Sequence, residues 1–308
     1  MRKRNLLGSL ALLPLLLAAA PAQANLKILA CEPEWGALAQ ELGGAQVDVA
    51  VATSARQDPH QIQARPSLVA RARNADLVVC TGAELEAGWL PLLLQQSGNA
   101  AVQPGRPGYF EAAAVVRKLE VPTQLDRSQG DVHAAGNPHI QTDPRNIALV
   151  ATALSARLQQ LDAAHAAEYA RRERDFSARW QQAMARWTAQ AVPLKGLPVV
   201  SQHKGFPYLY DWLGLKEVAV LEPKPGVEPS VGQLQAVLAA LKNTPARMVI
   251  HAAYQDPKPS DWLSGNAGIP SVKLPFTVGG SDAARDLFGL FDDTLARLLA
   301  AAGGGAKK

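Results

Sequence analysis

The sequence predicts an α/β protein of two lobes, each a parallel four-stranded (β/α) sandwich, joined by a long rigid backbone helix. Two observations carry the prediction. Short, near-continuous apolar runs alternate with helical patterns in two separate blocks of the chain, as in parallel sheets covered on both faces. Between the blocks, residues 162–190 keep a helical spacing without a single Gly or Pro. The 308 residues, 48% of them hydrophobic, suffice for one large core or two ordinary ones. The expected division is a leader (1–24), an N-terminal lobe (25–161), the linking helix (162–192), a C-terminal lobe (193–302) and a disordered tail (303–308).

The leader has the form of a cleavable signal peptide: basic MRKR, an apolar stretch from Leu6 to Ala20, and the small-x-small site Ala22-Gln23-Ala24. Ile28-Leu29-Ala30-Cys31 loosely matches a lipid-attachment box, but a cut there would remove the first strand. The expectation is therefore an exported, periplasmic protein starting near Asn25. Losing Arg2, Lys3 and Arg4 lowers the formal charge from +4 to +1, which removes any electrostatic case for nucleic acid. Export permits a disulfide between Cys31 and Cys80, the only two cysteines. Two buried thiols are an equal alternative.

In the first block, Leu26–Ala30, Val47–Ala52 and Leu77–Cys80 read as strands, with helices at Trp35–Leu42, Pro66–Asn74 and Leu85–Gln96. Residues 111–129 suggest a hairpin or an irregular cover. Asp143-Pro144 is a helix start, with Asp as N-cap and Pro in the first turn. Ile147, Val150, Leu154, Leu158 and Leu161 then share one face, and Asp162 opens the linking helix. The second block offers strands in LPVVSQ, EVAVLEP, RMVIHAA and SVKLPF, and helices at Phe206–Leu213, Ser230–Leu241 and Asp282–Ala302.

Chemistry concentrates in histidines at the ends of these elements. His60 stands in DPHQIQARPS after the second strand, His139 in GNPHIQTDPRN before a helix, and His203 in SQHKGFPYLYDWLGL after the first strand of the second block. Loops at the carboxyl ends of parallel strands are where open α/β sheets bind ligands. His251 and the mid-helix His165 are weaker candidates. Three loop histidines spread over both lobes point to one metal ion held between them.

These three motifs, in this order, resemble those of the zinc/manganese solute-binding proteins of bacterial ABC transporters, the cluster A-I family. The resemblance spans the whole mature chain. It implies no catalysis: such a protein captures an ion between its lobes and delivers it to a membrane permease. His60 and His139 correspond to the N-lobe ligands and His203 to the C-lobe ligand. The fourth ligand in many members is an Asp near the last helix, and GGSDAARDLF offers both Asp282 and Asp286. Three imidazoles and one carboxylate suit Zn²⁺, while Mn²⁺ prefers more oxygen donors. His133 sits where relatives carry His-rich loops and is an accessory metal-capture candidate. Asn137 and Asp143 are expected to orient ligands; Trp35, Tyr208, Glu222 and Glu228 are expected along the cleft. The resemblance further implies a monomer. The rival readings are a zinc hydrolase, for which no HExxH-type pair exists, and a bilobal binder of an organic metal chelate, which calls for a larger cleft.

Overall fold

The computed structural model describes residues 24–123 and 133–304. The leader before Ala24, the end of the expected hairpin or cover (124–129) and the last four residues lie outside that range. Residues 111–123 form an irregular cover: the end of a short strand and a 3-10 turn at Ala112–Val115. Among the described residues, no helix is long and apolar enough to cross a membrane.

Two four-stranded parallel sheets are present. The first contains β1 (Leu26–Ala30), β2 (Val47–Val51), β3 (Leu77–Cys80) and β4 (Tyr109–Glu111), in the order β2-β1-β3-β4. The second repeats that order as β6-β5-β7-β8, with β5 (Pro198–Ser201), β6 (Lys216–Val220), β7 (Met248–Ala252) and β8 (Ser271–Leu274). The unbroken burial of β3 and β7 reflects their cover on both faces. At the carboxyl ends of β1 and β3, Cys31 and Cys80 are joined by a disulfide, their Cα atoms 4.8 Å apart.

Helices α1 (Pro33–Gly43), α2 (Pro66–Arg73), α3 (Leu90–Ser97) and α4 (Pro144–Leu161) belong to the first sheet's side of the molecule. Helix α4 starts as expected, because the Asp143 side chain accepts from Arg145 N at its N-terminus. Helix α5 (Ala166–Gln190) is the strut, about 37 Å long at 1.5 Å per residue. It starts four residues after Asp162, whose carboxylate is taken by His165 Nδ1 and the Tyr169 hydroxyl. Beyond it lie α6 (Pro207–Leu213), α7 (Val231–Ala240), α8 (Lys258–Ala267) and α9 (Leu287–Gly304). Helix α9 begins at Leu287 rather than Asp282 because Asp286 Oδ1 accepts from Gly289 N, 2.8 Å, and caps the first turn.

One core runs through both halves. Its spine is the buried face of α5, where the Trp180 ring lies 5.1 Å from Phe176, 5.1 Å from Trp187 and 4.9 Å from Phe288 of α9. Two smaller clusters fill the outer faces, one behind β3 and one behind β7. The shared core makes the strut a fixed spacer rather than a hinge.

Beneath the first sheet's carboxyl edge lie three buried carboxylates, Glu32, Glu34 and Glu86. Glu86 accepts from the backbone of Thr81 (2.7 Å) and Gly82 (3.1 Å), and Glu32 from Thr81. Burial nonetheless pushes Glu34 and Glu86 up to about 7, from an ordinary 4.5. The folded state therefore holds protons that the unfolded chain has already released. Stability from these two groups is greatest in acid and declines as pH climbs from about 4.5 to about 7. His139, held well below its ordinary range, acts with the opposite sign. Glu86→Gln separates the two: melting of the metal-free variant should respond less to raising the pH from 5 to 7 than wild type does. Identical pH responses would remove Glu86 from the account.

Candidate metal site

The carboxyl edges of the two sheets face one another, and the loops leaving them carry the histidines together. After β2, the Asp58 carboxylate accepts from His60 N (3.0 Å) and His60 Nδ1 (2.8 Å), which fixes the ring and turns Nε2 inward. Trp89 Nε1 donates to Pro59 O at 2.9 Å and anchors the loop to the N-terminus of α3. Burial raises Asp58, but the His60 hydrogen bond and charge outweigh it and hold the carboxyl below its usual range. After β5, His203 Nδ1 donates to Glu222 Oε2 at 2.7 Å, again leaving Nε2 to the interior. His139 precedes α4; Asn137 Oδ1 accepts from its backbone N at 3.0 Å. Desolvation first, then the neighbouring His60, His203 and His133, keep the His139 ring neutral well into the acid range.

The three rings form a triangle, with centroids 5.3 Å (His60–His139), 5.4 Å (His139–His203) and 5.9 Å (His60–His203) apart. One ligand nitrogen from each lies within 4.8 Å of the other two. His139 Nε2 and His203 Nε2 are 3.3 Å apart. Two nitrogens bound tetrahedrally at ~2.0–2.1 Å from one zinc ion would be separated by about 3.3 Å. His60 Nε2 is buried without a hydrogen-bond partner, an arrangement suited to a ligand nitrogen.

The remaining candidates fall elsewhere. His133 stacks on His60 at 5.4 Å between centroids, outside the three-nitrogen group. Asp282 and Asp286 are exposed, and neither joins the group: Asp282 O accepts from Arg285 Nε, and Asp286 caps α9. Asp143 is engaged by its own helix and Arg145 rather than by an imidazole. His251 is buried in β7, Trp35 in the core under Thr81, and His165 pairs with Asp162. Tyr208 bridges the lobes, donating to Asn137 O at 2.7 Å and accepting from Leu119 N at 3.0 Å. Glu222 and Glu228 do line the cleft, in a polar cavity of about 180 Å³ whose walls include Asp58, His60, His203 and Asp256.

Two contacts escaped the sequence reading. The Phe276 ring packs 5.4 Å from His139, and Asp58 pairs with His60. Asp58 had a signal, since a carboxylate two residues before a loop His is placed for a local hydrogen bond; Phe276 had none. Glu222→Ala frees the His203 ring and should weaken metal binding by about 10–100-fold, whereas Glu222→Gln, which keeps an acceptor, should recover most of it. Competition against a chromophoric chelator reads the difference.

The class that this fold and site define is the two-lobed metal-binding component of an ABC uptake system. The chain belongs to the family described as "ZnuA: Zinc-uptake complex component A periplasmic", whose model matches residues 28–301. It is similar to the high-affinity zinc uptake system protein ZnuA of Bacillus subtilis (strain 168), 21% identical over 78% of this chain and 74% of that one. It is also similar to the manganese ABC transporter substrate-binding lipoprotein PsaA of Streptococcus pneumoniae, 22% identical over 82% of this chain and 80% of the other. A solved structure described as "Crystal structure of ZnuA" shares the fold, with a TM-score of 0.70 at 21% identity over 91% of this chain and 97% of that chain. Members of this class bind a metal ion and work with a membrane permease and its ATPase; they are not enzymes.

Proposed function

We propose that the protein captures Zn²⁺ in the periplasm through His60, His139 and His203 and delivers it, as a monomer, to its ABC permease. The observation that carries the choice of metal is the donor set: three converging imidazoles, two of them 3.3 Å apart at Nε2. Nitrogen donors at tetrahedral spacing favour zinc over the oxygen-seeking Mn²⁺. The fourth position belongs to water or a carboxylate. Asp282 or Asp286 fills it only if the loop between β8 and α9 shifts toward His139. Mn²⁺ is the second reading, because relatives carry either metal in their names. An organic metal chelate fits poorly, since such ligands take pockets of about 300–1,000 Å³ and the cleft cavity is near 180 Å³.

The experiment is calorimetric titration of the chelator-stripped mature protein with Zn²⁺ and Mn²⁺, beside the His60/His139/His203 triple alanine variant. One tight zinc site that the variant lacks supports the proposal. A tighter manganese site, or zinc binding indifferent to the three substitutions, overturns it.

A further inference from the structure

A second set of contacts joins the lobes beside the imidazoles, through residues that bind no metal. Glu34, in the first turn of α1, is 1% exposed, and Thr277, in the loop after β8, is 7% exposed. The Thr277 hydroxyl donates to Glu34 Oε2 across the cleft, a contact between residues 243 positions apart in the chain. A carboxyl group buried this deeply is costly unless hydrogen-bonded, so the bond favours keeping the lobes together.

Thr277 is not on a loose tether. Thr277 N donates to Pro275 O (2.8 Å), Gly280 N to Thr277 O (3.1 Å) and Gly279 N to Ala284 O (2.7 Å). Gly280 is required by that fold, since a Cβ there would lie 1.9 Å from Pro275 O. The preceding residue, Phe276, has a φ of +67°, a left-handed conformation that a bulky side chain adopts only when its surroundings enforce it. Its ring is held by Phe206 at 5.4 Å and Tyr254 at 5.5 Å, and it packs edge-on against His139. One compact loop of the C-terminal lobe thus grips the opposite lobe through residue 277 and a metal-binding imidazole through residue 276.

We infer that Glu34 and Thr277 are positioning residues for metal retention: their hydrogen bond holds the lobes closed and keeps Phe276 against His139. This rests on the zinc-capture reading for its consequence. Separation of the lobes breaks the Glu34–Thr277 bond, releases the strained backbone at Phe276 and withdraws the ring from His139. Metal loss is thereby tied to lobe opening at a point that touches no ion.

The test uses the full mature protein as wild type, Thr277→Val and Thr277→Ser, each carrying one fluorophore pair across the lobes. Zinc release is followed by chelator chase, and lobe separation by energy transfer in the metal-free state. Thr277→Val should release zinc about tenfold faster with an unchanged association rate and show a wider lobe separation, while Thr277→Ser behaves as wild type. Equal release rates in all three, or equal acceleration by Val and Ser, overturn the inference. Should wild type bind no zinc, the capture reading fails on its own, and the energy-transfer comparison still decides the latch: equal lobe separation in Val and Ser variants rejects it.

Discussion

Replacing His139 with alanine should weaken zinc binding by a factor on the order of 10²–10³. A fully ligated protein zinc site is worth ~10–16 kcal/mol, so one ligand of four accounts for about 3 kcal/mol or somewhat more. His139 is the most exacting of the three to lose. It is 1% exposed, its ring stays neutral into the acid range, and its Nε2 lies 3.3 Å from that of His203. Phe276 closes one side of the site against the His139 ring. The fold should survive, because the backbone around residue 139 is held by Asn137 and Thr142 rather than by the imidazole. Chelator competition measures the affinity, and melting of the metal-free variant confirms the fold. Undiminished affinity in a folded His139→Ala protein would place the metal elsewhere.

Trp180→Ala should destabilise the protein by about 3–5 kcal/mol, the usual cost of truncating a fully buried aromatic side chain. Trp180 is 0% exposed and contacts Phe176, Trp187, Phe288 and Phe291, while its indole N–H donates to Pro144 O at 2.8 Å. Truncation opens a cavity and leaves that carbonyl without its partner. At ~2–4 °C per kcal/mol for a chain of this class, melting should fall by roughly 10 °C. The core around Trp180 is continuous between the halves, so calorimetry should record one transition before and after the change. Two transitions in wild type would mean that the lobes unfold independently.

Most of the fold was legible because it rests on local signals. Parallel strands buried on both faces read as apolar runs, and the strut reads as a long helical pattern without breakers. The errors have physical causes. β4 is only three residues long and holds its place by pairing with β3, which leaves no periodicity to read. Helix α8 lies in KPSDWLSGNA, where Pro and Gly hide it. Helix α9 starts at Leu287 and not at Asp282, because the carboxylate that caps Gly289 N belongs to Asp286, one turn further on. The three clustered histidines could be found because each stands at a strand or helix end. Their partners were legible only in part: Asn137 and Glu222 could be named but the His203–Glu222 pairing, across 19 positions, could not, and Phe276 and Thr277 matter only once the lobes are assembled.

The last helix of the chain also packs on some of the first elements made. Helix α9 touches α1 and α5, and its Asp292 accepts from Trp187 Nε1 at 2.6 Å. A chain that emerges amino end first therefore cannot seal its central core until residues near 290 are available. The Trp180 and Trp187 rings stay uncovered by α9 from the time they are made until residues near 290 emerge. This order of assembly makes closure of the central core one of the last steps in folding a newly made chain.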